Sequence, residues 1–253
     1  MRNTKLFYLR VVCISFGAFG LFACSSSVQH FANYKDQTTR LDINLDISDA
    51  SVDGMISPYR EKLSETMDEV IAVNEQELIK QKPNSNMGNW MCDALMRGAR
   101  SIYSANIDFA IQNYGGMRIN SMAKGDVTVG KIFELMPFEN YLVIVELDGA
   151  NTKKVLDKIA EVGGWPVSKE ISFYISDQKT AENIKINGMD FDINKTYRIA
   201  TSDYVANGGD NMEYFRKAPI IETGKLIRDL LIDDCRRYGV IKTDNSLRIY
   251  TTR

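Results

Sequence analysis

The sequence has little histidine and no strong excess of either charge. Its 253 residues include one histidine, His30, and 31 Lys and Arg side chains stand against 33 Asp and Glu side chains. Zinc hydrolases, dinuclear metallohydrolases and Ser-His-Asp triads all use histidine side chains, which argues against such sites in this chain. A net charge of −2 argues against a nucleic-acid polymer as partner, because such a surface needs a basic excess. We therefore expect no metal-dependent hydrolysis by this chain alone. We also predict no catalytic residue, metal or cofactor in this chain.

Long apolar runs are absent except for one near the N-terminus. A basic start to the chain precedes a mostly apolar run over residues 11–23, which is shorter than the roughly 20 residues that a membrane-spanning helix needs. This order is typical of a secretory signal, and the sequence LFAC at residues 21–24 resembles the lipobox of bacterial lipoproteins. We expect residues 1–23 to be a signal peptide, Cys24 to carry the lipid, and residues 24–42 to form a tether. An ordinary N-terminal anchor helix is the alternative.

The expected lipid anchor predicts where the protein resides. Acyl chains on Cys24 provide membrane affinity for a domain that has been secreted across the inner membrane. No acidic run that would act as a surface-export signal follows Cys24. We therefore expect the domain to face the periplasm and to contact the membrane through its lipid anchor.

Cysteine is scarce in the rest of the chain, where Cys92 and Cys235 are the two thiols. An oxidising compartment permits a disulfide between them. Both lie among apolar residues in segments of helical periodicity, which favours two buried free thiols. The sequence leaves both alternatives open.

Residues 43–253 predict one domain of the α+β class. Its first residues, 43–54, have the pattern of an entry strand and turn. The elements that follow mix hairpin and crossover connections, which favours α+β over a doubly wound sheet. The apolar periodicity predicts helices at about 57–71, 87–100, 151–161 and 224–238, and strands at about 107–111, 141–147, 171–175, 183–187, 196–202 and 247–251.

The first candidate site follows the predicted strand at 107–111. Asn113 precedes the pair Gly115-Gly116, and Arg118 lies two residues after the pair. Glycines can adopt positive φ and present backbone N–H groups to a ligand, and a guanidinium can bind a phosphate or carboxylate through two hydrogen bonds. An ordinary glycine turn with a surface arginine has the same local pattern.

A second loop lies just before the predicted strand at 141–147. Pro137 stiffens the approach to this strand and gives Phe138 a defined direction, while Asn140 offers a side-chain amide. A core phenylalanine at a strand entry is the alternative.

A third loop follows the predicted strand at 196–202 and contains a second glycine pair, Gly208-Gly209. Tyr204, Asn207 and Asp210 surround this pair, although a tight loop with capping carboxylates has the same pattern. Together the three loops suggest one composite ligand site. Two aromatic rings can stack on a planar base, an arginine can bind phosphate, and a carboxylate can accept hydrogen bonds from ribose hydroxyls.

Five segments in the same order make a family resemblance specific. Together they resemble the C-terminal domain of the 5′-nucleotidase family, and the resemblance extends over most of residues 55–250. It implies the layered sheets and helices of that domain. The segments are NMGNWMCDAL (86–95), DFAIQNYGGMR (108–118), MPFEN (136–140), LDGANTKKVLD (147–157) and YRIATSDYVANGGD (197–210).

The resemblance implies roles for residues at matching positions. The family's N-x-G-G-x-R loop contacts base or phosphate, two aromatic residues stack on the base, an amide lies near it, and a carboxylate holds the ribose hydroxyls. The matching residues are Asn113 and Arg118 for the loop, Phe138 and Tyr204 for the aromatics, Asn140 for the amide and Asp210 for the carboxylate. The expected substrate-binding residues are Asn113, Gly115, Gly116, Arg118, Phe138, Asn140, Tyr204, Asn207, Gly208 and Asp210.

The sequence departs from the family pattern at three points. Tyr204 replaces a residue that is normally Phe, which keeps an aromatic face. Gln81 occupies a position that is often Arg, although Lys80 and Lys82 flank it as point charges. The family's N-terminal metallophosphatase domain, which carries two metal ions and an Asp-His pair, does not fit between Cys24 and the first matching segment.

These features favour three hypotheses for the function. The first is the nucleotide-recognition half of a split 5′-nucleotidase, which acts in nucleotide catabolism with a separate metallophosphatase chain that holds the divalent metals. The second is a non-catalytic lipoprotein that binds nucleosides or nucleotides. The third is an interaction protein that keeps only the fold. Under the first two, the ligand is a nucleoside monophosphate or a nucleoside.

Overall fold

The computed structural model describes residues 50–242 and 244–251. The helices are α1 (Ala50–Met67), α2 (Asn86–Ile102), α3 (Val129–Leu135), α4 (Gly149–Glu161), α5 (Asp203–Ala206) and α6 (Ile227–Tyr238). The strands are β1 (Val70–Asn74), β2 (Leu78–Ile79), β3 (Phe109–Ala110), β4 (Ser121–Met122), β5 (Gly125–Thr128), β6 (Tyr141–Asp148), β7 (Ile171–Ile175), β8 (Ala181–Ile186), β9 (Met189–Asp190), β10 (Thr196–Ser202), β11 (Ile220–Leu226), β12 (Val240–Ile241) and β13 (Ile249–Thr251). The α+β prediction is confirmed.

A mixed four-stranded sheet with the strand order β11-β6-β10-β3 lies at the centre of the fold. β6 runs antiparallel to β11 and β10, and β10 runs parallel to β3. The continuous apolar run of β6 is buried on both faces because its side chains alternate between two cores. Leu142 and Ile144 belong to one core, and Val143, Val145 and Leu147 belong to the other.

Helices pack on the first face of this sheet. Trp90, Met91, Ala94 and Leu95 form the buried stripe of α2, as the sequence predicts, and α6 joins the same core. Ser85 begins α2, because its hydroxyl accepts a hydrogen bond from the Gly88 N–H at 2.9 Å.

A second sheet and α4 cover the other face. This sheet has the order β13-β7-β8-β9, and the predicted turn at Asn187-Gly188 joins β8 to β9. Both turn residues have positive φ, 52° and 77°, which a two-residue hairpin of this hand requires. The described residues also form two smaller sheets, with the strand orders β12-β1-β5 and β2-β4.

Two sequence predictions at the start of the domain are wrong. Residues 50–54 belong to α1 instead of an entry strand, and Val70 and Ile71 belong to β1 instead of the preceding helix. The helix buries none of its side chains, so burial does not shape its sequence. The β-branched residues Val70, Ile71 and Val73 favour a strand, and β1 pairs with β5 and β12.

The predicted start of the last helix is also wrong. The helix begins at Ile227 instead of residue 224, and the preceding residues form β11. β11 is an edge strand whose side chains are only partly buried, so its apolar pattern is weak. Gly224 has a φ of 67°, which is incompatible with the first turn of a helix.

Cys92 and Cys235 are free and buried, which agrees with the favoured alternative in the sequence. Burial raises the pKa of the Cys235 thiol to about 12 and raises that of Cys92 as well. No helix among the described residues has the length and apolarity that crossing a membrane requires. The predicted signal peptide, tether and lipidated Cys24 lie outside the described residues.

Candidate functional site

Three loops meet at one edge of the central sheet because of its strand order. β10 runs parallel to β3, with Ile199 opposite Phe109, so the loops that follow these strands leave the sheet side by side. β6 runs antiparallel to β10, with Leu142 opposite Ser202, which brings the loop before β6 to the same edge. The strand order therefore brings together loops that are far apart in the sequence.

The three loops enclose a cavity of about 450 Å³. Eight of the ten predicted binding residues line it, together with Glu139, which is not among the predicted residues. The one feature of the sequence that indicates a site role for Glu139 is its position between Phe138 and Asn140. The lining residues are Asn113, Gly115, Gly116, Arg118, Phe138, Glu139, Asn140, Tyr204 and Asp210.

Asn207 and Gly208 do not line this cavity. The Asn207 carbonyl accepts a hydrogen bond from Arg216 Nε at 3.2 Å. Gly208 is buried at the turn and has a φ of 90°, a conformation that favours glycine. The structure thus gives these two residues a role in shaping the third loop.

Asp210 is held by one donor on each carboxylate oxygen. Asn113 Nδ2 donates to Oδ2 at 2.7 Å, and the Tyr204 hydroxyl donates to Oδ1 at 3.0 Å. The hydrogen bond to Asp210, followed by burial, raises the pKa of the Tyr204 phenol, so the phenol stays protonated as a donor. A carboxylate has about four acceptor positions, so Asp210 retains acceptor capacity toward the cavity.

Glycine is required where the loops approach these side chains. A Cβ on Gly116 would overlap the side-chain amide of Gln112, and a Cβ on Gly209 would overlap the ring of Tyr204. The absence of a side chain at Gly209 therefore lets the Tyr204 ring lie against the backbone of its own loop. This packing gives the Tyr204 ring a defined orientation.

Two aromatic rings at the cavity remain partly exposed. Phe138 is 38% exposed and Tyr204 is 45% exposed, unlike the aromatic side chains that are buried in the two cores. The guanidinium carbon of Arg118 lies 5.4 Å from the centroid of the Phe138 ring. The cavity thus combines aromatic surface with a cation, which suits a ligand that has both a planar ring and an anionic group.

Lys80, Lys82 and Arg118 form a basic cluster beside the cavity. The ammonium groups of Lys80 and Lys82 lie 4.3 and 4.8 Å from the centroid of the Tyr114 ring. Burial, followed by the charges of Arg118 and Lys82, lowers the pKa of Lys80. Among the described residues, none of these three cations forms an ion pair with a carboxylate. An anion entering here would therefore meet unneutralised positive charge.

Lys80 is already engaged by the protein. Its ammonium group donates a hydrogen bond to the Met117 carbonyl at 2.7 Å, and Lys82 donates to the Val162 carbonyl. Because these contacts use one donor of each ammonium group, the remaining donors are available to solvent or a ligand. Neither lysine lines the cavity itself.

Asn140 is oriented from the third loop. Its Nδ2 donates to Asp203 Oδ1 at 3.0 Å, and the same oxygen accepts the Tyr204 N–H at 2.7 Å. The loop before β6 and the loop after β10 are therefore connected by side-chain hydrogen bonds as well as by strand pairing.

The described residues do not fit a metal centre. Residues 50–242 and 244–251 contain no group of three His, Cys, Asp or Glu side chains placed to hold a metal ion. In these loops Asp203 and Asp210 instead accept hydrogen bonds from amide and phenol donors, and the carboxylates that line the cavity are Asp210 and Glu139. No step of metal chemistry can be derived from these residues.

Comparison with known proteins places the cavity within a recognised domain. The family model of the 5′-nucleotidase C-terminal domain matches residues 69–217, which include every residue that lines the cavity. The UshA protein of Yersinia enterocolitica is 33% identical over 138 residues, which cover 53% of this chain and 25% of UshA. A 5′-nucleotidase of Vibrio cholerae is 26% identical over 195 residues, which cover 73% of this chain and 34% of the relative.

A solved structure has the same fold. The crystal structure of a 5′-nucleotidase precursor from Thermus thermophilus aligns with a TM-score of 0.69 at 23% sequence identity. The alignment covers 79% of this chain and 43% of the other. The chain thus spans between a quarter and a half of the length of these two relatives and of this solved structure.

Proposed function

The chain belongs to the family of 5′-nucleotidase C-terminal domains, and on that premise we propose that its cavity binds a nucleoside monophosphate or a nucleoside. The observation that carries the proposal is the position of Arg118, which has no carboxylate partner among the described residues, beside the exposed face of Phe138. Such a pair suits a ligand whose aromatic ring and anionic group lie a few ångströms apart.

Each part of the nucleotide has a matching group in the cavity. The base stacks on Phe138 and Tyr204, whose exposed rings supply about 1–3 kcal/mol per stacked base in nucleic-acid systems. The ribose hydroxyls donate to Asp210, which Asn113 and Tyr204 hold in place. The phosphate lies toward Arg118, with Lys80 and Lys82 contributing longer-range positive charge.

Calorimetry with AMP, adenosine and inorganic phosphate tests this proposal. We expect both AMP and adenosine to bind, with AMP bound more tightly because Arg118 contributes to the phosphorylated ligand only. Phosphate alone should bind weakly, since it lacks the stacking contribution. Absence of heat from both AMP and adenosine at millimolar concentrations would contradict a nucleotide site.

We further propose that the chain serves nucleotide catabolism as the recognition half of a split 5′-nucleotidase. Two observations support this proposal. The described residues form a cavity that suits a nucleotide, and they contain no group of side chains placed to hold a metal ion. A separate metallophosphatase chain would supply the divalent metals and the hydrolytic step. The purified chain mixed with a candidate metallophosphatase should release phosphate from AMP faster than the metallophosphatase alone. Equal rates for every candidate would count against the partnership.

One observation favours the non-catalytic alternative. Gln81 occupies a position where an arginine would bind phosphate through two hydrogen bonds. Lys80 and Lys82 flank this position, and Lys80 already donates a hydrogen bond to the Met117 carbonyl. A weaker phosphate contact suits a protein that captures nucleosides as readily as nucleotides. Equal affinity for adenosine and AMP in the same calorimetry would favour this alternative over the split enzyme.

Membrane attachment through Cys24 is also our proposal. It is supported by the order of basic residues, apolar run and cysteine within residues 1–24. In cells supplied with labelled palmitate, the wild-type chain should carry label and sediment with membranes. Cys24→Ala should remove the label, and a wild-type chain that carries none would contradict the lipid anchor.

A further inference from the structure

A second arginine, Arg228, touches the cavity loop from inside the protein. It is the second residue of α6, it is 8% exposed, and no carboxylate among the described residues forms an ion pair with it. Its Nη1 donates to the carbonyl of Phe138 at 3.4 Å, and its guanidinium carbon lies 4.2 Å from the Phe133 ring centroid. Its Nε is buried and has no hydrogen-bond partner among the described residues.

Arg248 shows how the same protein accommodates a structural arginine. That side chain is 3% exposed, and its Nε, like that of Arg228, has no hydrogen-bond partner among the described residues. Its charge, however, is neutralised by two carboxylates, Asp93 at 2.7 Å and Asp244 at 2.5 Å. A buried guanidinium without such partners loses hydration that nothing fully replaces. The contact with Phe133 offsets part of this cost, but an apolar side chain of similar length would avoid it. Stability alone therefore does not account for Arg228.

The contacts of Arg228 point to the loop that carries Phe138. The N–H of Ile227, the neighbouring residue, donates to the Asn140 carbonyl at 2.9 Å. The start of α6 thus holds this loop at two carbonyls, those of Phe138 and Asn140. The Phe138 side chain, on the residue whose carbonyl Arg228 contacts, is partly exposed and lines the cavity.

We propose that Arg228 is a positioning residue that fixes the direction of the Phe138 ring toward the ligand. The proposal rests on the proposed nucleotide-binding function. Arg228 lies outside residues 69–217, the part of the chain that the family model matches. It acts through the Phe138 carbonyl and has no contact with the ligand itself.

The test is Arg228→Met, because methionine fills a similar volume without charge or donor. The variant should be at least as stable as the wild type in urea, yet bind AMP about three- to tenfold more weakly because a misdirected ring loses part of its stacking. In a Phe138→Ala background, the same substitution should have no further effect on affinity. Arg228→Lys, which keeps a charged donor, should recover part of the loss.

Arg236→Met is the matched control. Arg236 belongs to the same helix, but it is exposed and bound to Glu69. Its substitution should leave AMP affinity unchanged. If Arg228→Met destabilises the protein and leaves affinity unchanged, or weakens binding equally with and without Phe138, Arg228 is structural and the proposal is overturned.

A ligand-free measurement separates this inference from the proposed function. Phe138→Trp places a partly exposed reporter in the loop, while the native Trp90 and Trp165 are buried. Adding Arg228→Met should increase acrylamide quenching and lower the fluorescence anisotropy of this reporter. Unchanged quenching and anisotropy would overturn the positioning role even if AMP binds. If the wild type does not bind AMP, the proposed function fails, and the reporter alone decides whether Arg228 orients the loop.

Discussion

Asn113 and Asp210 are joined by a 2.7 Å hydrogen bond across 97 residues of sequence. The bond connects the two loops that contain glycine pairs, and it orients the carboxylate that faces the cavity. The second carboxylate oxygen is held by Tyr204, whose ring is also the exposed aromatic surface of its loop. Tyr204 therefore connects the expected contact with the base, made by its ring, to the expected contact with the sugar, made by Asp210.

Replacement of Arg118 should affect phosphorylated ligands selectively. Arg118→Ala removes a cation that has no carboxylate partner among the described residues, so the protein should fold normally. A hydrogen bond to a charged group contributes about 1.5–3 kcal/mol, which corresponds to a loss of about tenfold or more in AMP affinity. Calorimetry should show little change for adenosine. A parallel loss for both ligands would place Arg118 at the base instead of the phosphate.

The Tyr204 hydroxyl should influence recognition of the sugar. Tyr204→Ala removes both the ring and the hydroxyl, so it should weaken both adenosine and 2′,3′-dideoxyadenosine, with the larger loss for adenosine. Tyr204→Phe keeps the ring but releases Asp210 Oδ1, so the loss should fall on adenosine and amount to about 1 kcal/mol. Titration of both nucleosides separates the two effects. An unchanged ratio of their affinities in Tyr204→Phe would show that the hydroxyl does not orient Asp210 for the sugar.

Gly209 should be needed for the orientation of the Tyr204 ring. In Gly209→Ala, the new Cβ would overlap the ring, which must then turn away from its loop. We expect AMP affinity to fall about as far as in Tyr204→Ala. Gly54→Ala is the control, because nothing lies within 4 Å of a Cβ there and the residue is in α1. Wild-type affinity in Gly209→Ala would mean that the ring orientation is unimportant for binding.

Arg248 should be a major contributor to stability. Removing one partner of a buried ion pair costs about 3–5 kcal/mol, and because Asp244 is 38% exposed we expect Arg248→Met to lose about 3 kcal/mol. Urea denaturation measures the change. Lys185→Met is the control, since Lys185 and Asp190 are exposed and their pair contributes less than about 1 kcal/mol. Similar losses in both variants would contradict the central role of Arg248.

The same cluster predicts a sensitivity to acid. Burial alone would raise the pKa of Asp244, but hydrogen bonds from Ser246 and Arg248 outweigh it and lower the pKa below the usual range of an aspartate. A carboxyl with a lowered pKa in the folded state stabilises the protein above its unfolded pKa, and this contribution disappears as the pH falls through the folded pKa. Wild-type stability should therefore decline below pH 4 more steeply than that of Asp244→Asn. Identical pH profiles would exclude this contribution.

The two thiols should be inert in the native protein. Because burial raises the pKa of Cys235 to about 12, very little of its thiol is ionised at pH 8, and Cys92 is fully buried. Iodoacetamide followed by mass spectrometry should leave both residues unmodified in buffer and alkylate both in urea without reductant. Alkylation that requires reductant would indicate a disulfide between them.

Periodicity in the sequence predicts the elements that are buried on one or two faces. The helical stripe from Trp90 to Leu95 and the apolar run of β6 are both found where the sequence places them. The pattern fails for α1, which buries no side chain, and for β11, an edge strand that is only partly buried. In these two elements solvent exposure weakens the relation between sequence and structure.

The site follows a similar division. The residue types in the three loops suggest one composite ligand site, but no periodicity reveals that β3 lies parallel to β10. That pairing brings Asn113 to Asp210. Arg228 has no sequence signal at all, because its role depends on burial without a partner among the described residues and on a long-range contact with Phe138.

A crystal structure of the chain grown with AMP tests the central claim most directly. We predict the base between Phe138 and Tyr204, the ribose hydroxyls within hydrogen-bond distance of Asp210, and the phosphate next to Arg118. AMP bound elsewhere on the protein, or a cavity without AMP at a concentration that saturates binding in solution, would contradict the account.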